Sequence, residues 1–281
     1  MARKKQLPLH RLEPNLAGMN IEILAFLAIL QGVTEFLPVS SSGHLALAHV
    51  FGHFADQGVL IDVALHGGTL IAVMAYFHKE LRLMLLGLWD ILRRRESQAA
   101  RLSYAIIWST IPIIIGGGIM VLSGWIDMLR QAHIIAYASI GFAIPLYIAD
   151  RFATSKTIEN LDSRHALLVG LAQLLALIPG ASRSGVTMTM GRFLGLSRRD
   201  AAKFSMLIAM PVIAMFAIAS LLELMQSEQD GAISDAFIGA SIAAVFAMAT
   251  IHGFLWLTAR LSYTPFVIYR IGLGVAILLF I

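Results

Sequence analysis

The sequence has no cysteine and few charged side chains, and these two absences limit its function first. Without cysteine the chain cannot form a disulfide, hold a metal through thiolates or use a cysteine nucleophile in phosphate chemistry. Only 14% of its 281 residues are charged, against about 25% in a typical soluble domain, and the mean hydropathy is +0.78. Because strand-like alternation is also missing, we predict an all-α polytopic membrane protein.

Apolar segments of about 18–22 residues can cross a hydrocarbon core of about 30 Å. They predict six transmembrane helices, at about 57–77, 104–122, 134–149, 203–222, 233–257 and 265–281. The segment 78–101 is rich in arginine and is expected to be a basic loop.

Basic loops mark the cytoplasmic side of a membrane protein. This rule places the loops 78–101 and 150–164 inside and the acidic loop 223–235 outside, although it leaves the basic arm 1–18 outside as well. We expect a multi-pass protein of the bacterial inner membrane. The net charge of +4 is ordinary for such loops, and a nucleic-acid partner is not indicated.

One polar stretch interrupts the first apolar region, QGVTEFLPVSSSGH at 31–44. Gln31 and Glu35 are four residues apart and share one helix face. Pro38 disfavours further helix, and the following serines and Gly43 can offer hydroxyl and backbone N–H groups to an anion. A carboxylate at membrane depth costs about 2.5–3.5 kcal/mol, so this pattern favours a functional pocket made by a broken helix.

A second polar stretch is PGASRSGVT at 179–187. Arg183, between Ser182 and Ser184, suits an oxyanion with several oxygens, because a guanidinium presents a fork of donors. The alternative is that Arg183 forms a structural ion pair with Glu35.

The two polar stretches indicate an internal repeat. Aligning Pro38 with Pro179 puts Ser41 opposite Ser182, and three predicted spans follow each stretch. The odd number of spans predicts an inverted-topology repeat within one domain, 1–281, whose halves cover about 19–150 and about 165–281. Each half would contribute one re-entrant helical hairpin, and the two would meet in the membrane.

Glu35 and Gln31 offer oxygen ligands for a hard divalent cation, with substrate oxygens completing its shell. The simpler alternative is a hydrogen bond that packs the helix. His44 is a candidate acid, base or nucleophile, or else a satisfied core histidine. Ser40, Ser41 and Ser42 are candidate phosphate ligands, or caps of the returning helix. Weaker candidates are the pairs Asp62 with His66 and His49 with His53, while Arg192, Arg198 and Arg199 are expected to be topogenic charges.

Both stretches together resemble the two signature motifs of the bacterial undecaprenyl-diphosphate phosphatase family, of the BacA bacitracin-resistance type. The resemblance runs from about residue 19 to the end and includes DVALHGGTLIAVMAYF. It implies hydrolysis of undecaprenyl diphosphate to the monophosphate carrier of peptidoglycan and other envelope glycans. It also implies Mg²⁺ or Ca²⁺ and a site open to the periplasm.

By this resemblance, four residues carry over as catalytic: Glu35, Ser41, His44 and Arg183. Those expected to support phosphate binding are Gln31, Ser40, Ser42, Gly43, Ser182, Ser184 and Thr187. Gln31 stands where the family also has glutamate, so one carboxylate fewer is available to a metal. Ser41 would attack phosphorus or stabilise charge, with His44 as the favoured base, and the attacking atom stays open.

A transporter or flippase of the polyprenyl phosphate is the main alternative, because inverted repeats are common in transporters. A lipid phosphatase with a histidine shortly after Ser182-Arg183 is disfavoured, since the next histidine is His252. The expected partners are the lipid substrate and membrane lipids, and a homodimer is compatible with the sequence.

Overall fold

The structure is a computed structural model, and it describes residues 20–52, 58–124, 129, 131–224 and 233–280. The predicted basic arm at 1–18 and most of the predicted acidic loop at 223–235 lie outside the described residues.

Eleven helices form the described part of the chain. In chain order they are α1 (Ile21–Thr34), α2 (Ser41–Gly52), α3 (Gly58–Tyr76), α4 (His78–Leu92), α5 (Gln98–Ser123), α6 (Ala132–Asp150), α7 (Ser163–Gln173), α8 (Arg183–Phe193), α9 (Arg198–Leu224), α10 (Ile233–Thr258) and α11 (Thr264–Phe280). Short 3₁₀ turns cover Ile158–Asn160 and Leu174–Leu177.

Four helices are long and apolar enough to cross a membrane, in the segments Gln98–Met120, Ala132–Asp150, Arg198–Ser220 and Ile233–Thr258. Together α3 and α4 make a fifth candidate, bent by 87° at Phe77. The described residues contain no strand beyond one bridge between Lys156 and Leu196. The prediction of an all-helical membrane protein is confirmed.

The expectation of a basic loop at 78–101 is wrong, because its first part is the helix α4. Glu80 of α4 pairs with Lys203 of α9 at 2.6 Å. Several leucines of α4 and Trp89 are exposed. An amphipathic helix of this kind suits a membrane surface, where charges and apolar groups both find partners. A run of charged residues therefore does not exclude a helix that lies at a surface.

Close packing of α3 against α10 depends on Gly68. A methyl group added at Gly68 would lie 2.2 Å from the carbonyl oxygen of Ala240, which is backbone and cannot rotate away. The neighbouring Gly67 has no atom within 4 Å of the same position. Small residues allow such close approach of membrane helices.

We expect Gly68→Ala to lower the free energy of unfolding by about 1–3 kcal/mol, because it overpacks this contact. The matched control, Gly67→Ala, should be neutral or stabilising by up to about 1 kcal/mol, since alanine favours helix and meets no neighbour. Thermal unfolding of the purified variants in detergent measures both. Equal melting temperatures would contradict the packing described for α3 and α10.

Candidate active site

The first helix ends in two buried polar side chains, as the spacing in the sequence predicted. Asn20 caps its start by accepting the backbone N–H of Glu22. Near its end, Gln31 Nε2 donates to Glu35 Oε2 at 2.9 Å. Gln31 is fully buried and Glu35 is 8% exposed. Since the carboxylate is out of water, it needs strong partners to stay charged.

Arg183, at the first position of α8, is the main partner of Glu35. Its Nη2 lies 3.0 Å from Glu35 Oε1, and its Nη1 donates to the carbonyl of Ser205. Ser41 Oγ donates to Glu35 Oε2 at 2.7 Å. Removing one member of a buried ion pair costs about 3–5 kcal/mol, so this contact holds the two polar stretches together.

Each returning helix begins after a serine with a left-handed backbone. Ser40 has φ 74° and Ser182 has φ 73°. Ser40 Oγ accepts the N–H of Gly43, and Ser182 Oγ accepts the N–H of Gly185. Non-glycine residues rarely adopt this conformation, which costs about 1–3 kcal/mol. Both helix breaks therefore share the same rare backbone conformation at the serine that precedes the returning helix.

This geometry corrects the internal alignment that the prolines suggested. Ser40 corresponds to Ser182, so Ser41 corresponds to Arg183 rather than to Ser182. The segment before Ser182 holds one residue more after its proline than the segment before Ser40. Anchoring the alignment on proline therefore put it out of register by one position.

The two helix breaks also bond directly to each other. The N–H of Gly180 donates to Ser40 Oγ at 3.2 Å, and Ser184 Oγ donates to the carbonyl of Leu37 at 2.6 Å. Gly180 has φ 92°, and a methyl group there would lie 2.5 Å from the carbonyl of Ile135. The backbone groups that each break exposes are thus satisfied by the other break, as they must be away from water.

A small polar cavity of about 70 Å³ opens where these groups converge. Its lining is Glu35, Ser40, Ser41, Ser42, Ala176, Ser182, Arg183 and Ser184. Seven of these eight residues were predicted as catalytic or phosphate-binding. One cation and several hydroxyl groups around a small space are the donors that a phosphate group needs.

His44 is close to this cavity but does not line it. Its Nδ1 lies 2.7 Å from the carbonyl oxygen of Ser40, which can only accept, so Nδ1 carries a proton. In the neutral ring, Nε2 then accepts the hydroxyl of Tyr269 at 2.6 Å. The two rings stack with centroids 5.7 Å apart. Ser41, for which His44 was the favoured base, instead donates to Glu35 in this arrangement.

The remaining predicted site residues support the cavity or lie outside it. Gly43, in the first turn of α2, lies against Ile135 and Gly180, with little room for a side chain. Thr187 Oγ1 bonds within α8 and to Ser205 of α9. His66 Nδ1 donates to the carbonyl of Asp62, and its ring contacts Phe216. The side chains of His49 and His53 lie outside the described residues.

Sequence analysis missed Arg270, the largest fully buried side chain of the described residues. Its guanidinium donates to carbonyls of both breaks, those of Pro38, Gly180 and Ala181. It also donates to the carbonyl of Ser139 in α6. A lone arginine within the apolar segment 265–281 was the signal available, since such a cation needs buried acceptors.

Comparison with known proteins identifies the family of this chain. The family model described as bacitracin resistance protein BacA matches residues 24–276. An undecaprenyl-diphosphatase of Maricaulis maris is 47% identical over 267 residues, covering 93% of this chain and 99% of that protein. An undecaprenyl-diphosphatase of Hahella chejuensis is 43% identical, covering 92% and 97%. An undecaprenyl-diphosphatase 2 of Stutzerimonas stutzeri is also 43% identical, covering 92% and 98%. Because the family model spans most of the chain and these relatives match over nearly their full length, the chain belongs to the bacitracin resistance protein BacA family.

Proposed function

We propose that this protein hydrolyses undecaprenyl diphosphate to undecaprenyl phosphate and inorganic phosphate. The observation that carries the proposal is the buried contact of Glu35 with Arg183 and Ser41 in a family of undecaprenyl-diphosphatases. The reaction returns the lipid carrier to peptidoglycan and envelope-glycan synthesis. It also accounts for bacitracin resistance, the property for which the family is described.

Arg183 is assigned to the phosphate oxygens. Its guanidinium faces the cavity while its Nη1 is held by the carbonyl of Ser205. Phosphoryl transfer spreads negative charge over the equatorial oxygens, so a fixed cation stabilises the transition state. Ser40, Ser42, Ser182 and Ser184 add hydroxyl groups around the same space. The prenyl chain would stay in the bilayer while the diphosphate enters.

A divalent cation, Mg²⁺ or Ca²⁺, fits the donor set at Glu35 and Gln31. Gln31 Oε1 is buried without a hydrogen-bond partner in the described residues, beside the Glu35 carboxylate. Hard cations prefer such oxygen ligands. No group of three metal-binding acidic, histidine or cysteine side chains occurs in the described part, so substrate oxygens must complete the shell. When bound, the cation neutralises charge on the diphosphate.

Ser41 is assigned as nucleophile or as donor to the developing charge. Its hydroxyl already donates to Glu35, so this carboxylate is the nearest group able to take its proton. His44 is assigned to proton transfer, and Tyr269 holds its Nε2 in place. The direct use of His44 as base for Ser41 would need the Tyr269 contact to open. Glu35 therefore competes with His44 for this role.

The proposed membrane arrangement is six spans and two re-entrant hairpins, α1–α2 and α7–α8, in an inverted repeat. Helix contacts support it, because each hairpin packs on a helix of the other half. The helix α1 of the first half packs on α10 of the second, and α7 of the second half packs on α5 of the first. The corresponding helices α3 and α9 pack together, as do α6 and α11. Basic segments at the ends of α4 and α6 place those ends on the cytoplasmic side. This orientation favours a site open to the periplasm.

Purified protein in detergent should release phosphate from undecaprenyl diphosphate or a shorter prenyl diphosphate. Excess chelator should lower the rate by about two orders of magnitude or more, and Mg²⁺ or Ca²⁺ should restore it, because a bound ion supplies several kcal/mol. A phosphate-release assay measures this without any membrane compartment. Transport without hydrolysis would contradict the proposed reaction, and full activity in chelator would contradict the metal role.

Arg183→Ala should lower kcat/KM by about 10²–10³-fold, as loss of a charge-stabilising donor does. It should also destabilise the protein by about 3–5 kcal/mol, because Glu35 is left buried and unpaired. The double variant Arg183→Ala/Glu35→Gln should recover much of the melting temperature but stay inactive. If the pair serves only structure, activity would return together with stability.

The absence of cysteine allows a direct test of orientation by single-cysteine labelling. Ser123→Cys places a thiol at the last residue of α5 and Arg94→Cys places one before its start, and α5 is about 39 Å long at 1.5 Å per residue. In intact cells, a membrane-impermeant maleimide should label Ser123→Cys but not Arg94→Cys until the membrane is permeabilised. Labelling of both from one side would overturn the arrangement.

A further inference from the structure

A second, larger cavity of about 590 Å³ lies at the far end of α8 from Arg183. The ends of α6, α8 and α10 and the start of α9 surround it. Its lining is Asp150, Arg151, Phe152, Ala153, Thr154, Arg192, Ser197, Arg198, Arg199, Thr258 and Ala259. None of these residues lines the catalytic cavity. At 1.5 Å per residue, Arg192 is about 14 Å along α8 from Arg183.

This cavity is strongly basic. Four arginines face one aspartate, which leaves a formal charge of +3. The aspartate, Asp150, is already neutralised, because Arg198 Nε bonds to its Oδ1 at 2.5 Å and the N–H of Tyr263 to its Oδ2. The remaining positive charge has no counter-ion in the lining. A concave basic surface focuses its field on an anion more than scattered surface charges do.

Three of the four arginines, Arg151, Arg192 and Arg198, are held by contacts, and free donors remain. Arg192 is 3% exposed, and its two Nη groups donate to backbone carbonyls and to Thr154. Its Nε is buried with no partner in the described residues. Arg151 stacks on Tyr147 with its charged carbon 4.5 Å from the ring centroid. Arg199 makes no hydrogen bond or ion pair in the part of the chain that the structure describes.

An apolar surface adjoins the basic cavity. Phe152 is 52% exposed and Phe193 is 43% exposed, and their rings meet edge to face at 5.5 Å. A free inorganic anion makes no favourable contact with exposed aromatic rings. A phospholipid makes such contacts with its acyl chains, which lie next to its phosphate. Basic pockets between membrane helices on the cytoplasmic side are suited to anionic headgroups.

We propose that this cavity binds the headgroup of an anionic phospholipid of the surrounding bilayer. The phosphate lies against Arg151, Arg198 and Arg199, and the acyl chains run over Phe152 and Phe193. The site is separate from the reaction of the catalytic cavity, and it does not depend on the roles assigned there. Arginines that served only to orient the chain would need neither a cavity nor fixed side chains.

The test uses the purified, delipidated full chain in nanodiscs of phosphatidylcholine with added phosphatidylglycerol. Native mass spectrometry should show phosphatidylglycerol retained in preference to phosphatidylcholine. Arg151→Gln/Arg199→Gln should weaken its binding about 30-fold, since each arginine near a headgroup contributes about fivefold. Arg199→Gln alone, at an exposed residue whose side chain makes no hydrogen bond or ion pair in the described residues, should weaken it about fivefold and tests the proposal if the double variant unfolds.

The matched control is Arg93→Gln/Arg95→Gln, which removes the same charge from exposed arginines outside the cavity. Like Arg151, Arg93 stacks on an aromatic ring, that of Trp89. This control should keep the affinity of the unchanged protein. An equal loss in the control would assign binding to general surface charge and overturn the proposal. No preference for phosphatidylglycerol over phosphatidylcholine would overturn it too.

Discussion

The ion pair between Glu35 and Arg183 is the contact on which the site depends. Neither charge is stable alone away from water, so each requires the other half of the chain to be in place. The pair lies at the join of two interrupted helices, and a phosphate can replace the carboxylate as partner of the guanidinium. In the proposed reaction, the interaction that stabilises this site would therefore also keep a cation ready for the substrate.

Interrupted helices create a second requirement, because broken backbone leaves N–H and carbonyl groups without partners. The described structure meets it with side chains and with the opposite break. Ser40 and Ser182 take up N–H groups, while Arg270 takes up carbonyls from both breaks. Such groups are costly when unsatisfied in a membrane, so the fold and the site use one set of hydrogen bonds.

Much of this site could be predicted from the sequence because its residues lie next to breaks that proline, serine and glycine mark locally. Gln31, Glu35, Ser41 and Arg183 were found in this way. Tyr269 was not, because it meets His44 across 225 positions and lies in an apolar segment without a motif. The helix α4 was missed for a different reason. Its charges are satisfied at a surface by contacts such as Glu80 with Lys203, which no local pattern reveals.

The position of Arg270, C-terminal to both polar stretches, has a consequence for biosynthesis. Ribosomes complete the N-terminal break, with Glu35 and Ser41, long before residue 270 is made. Until α11 inserts, the carbonyls of Pro38, Gly180 and Ala181 lack their donor. A nascent chain that stops short of α11 therefore contains both polar stretches but no finished pocket, so activity requires α11 to be in the membrane.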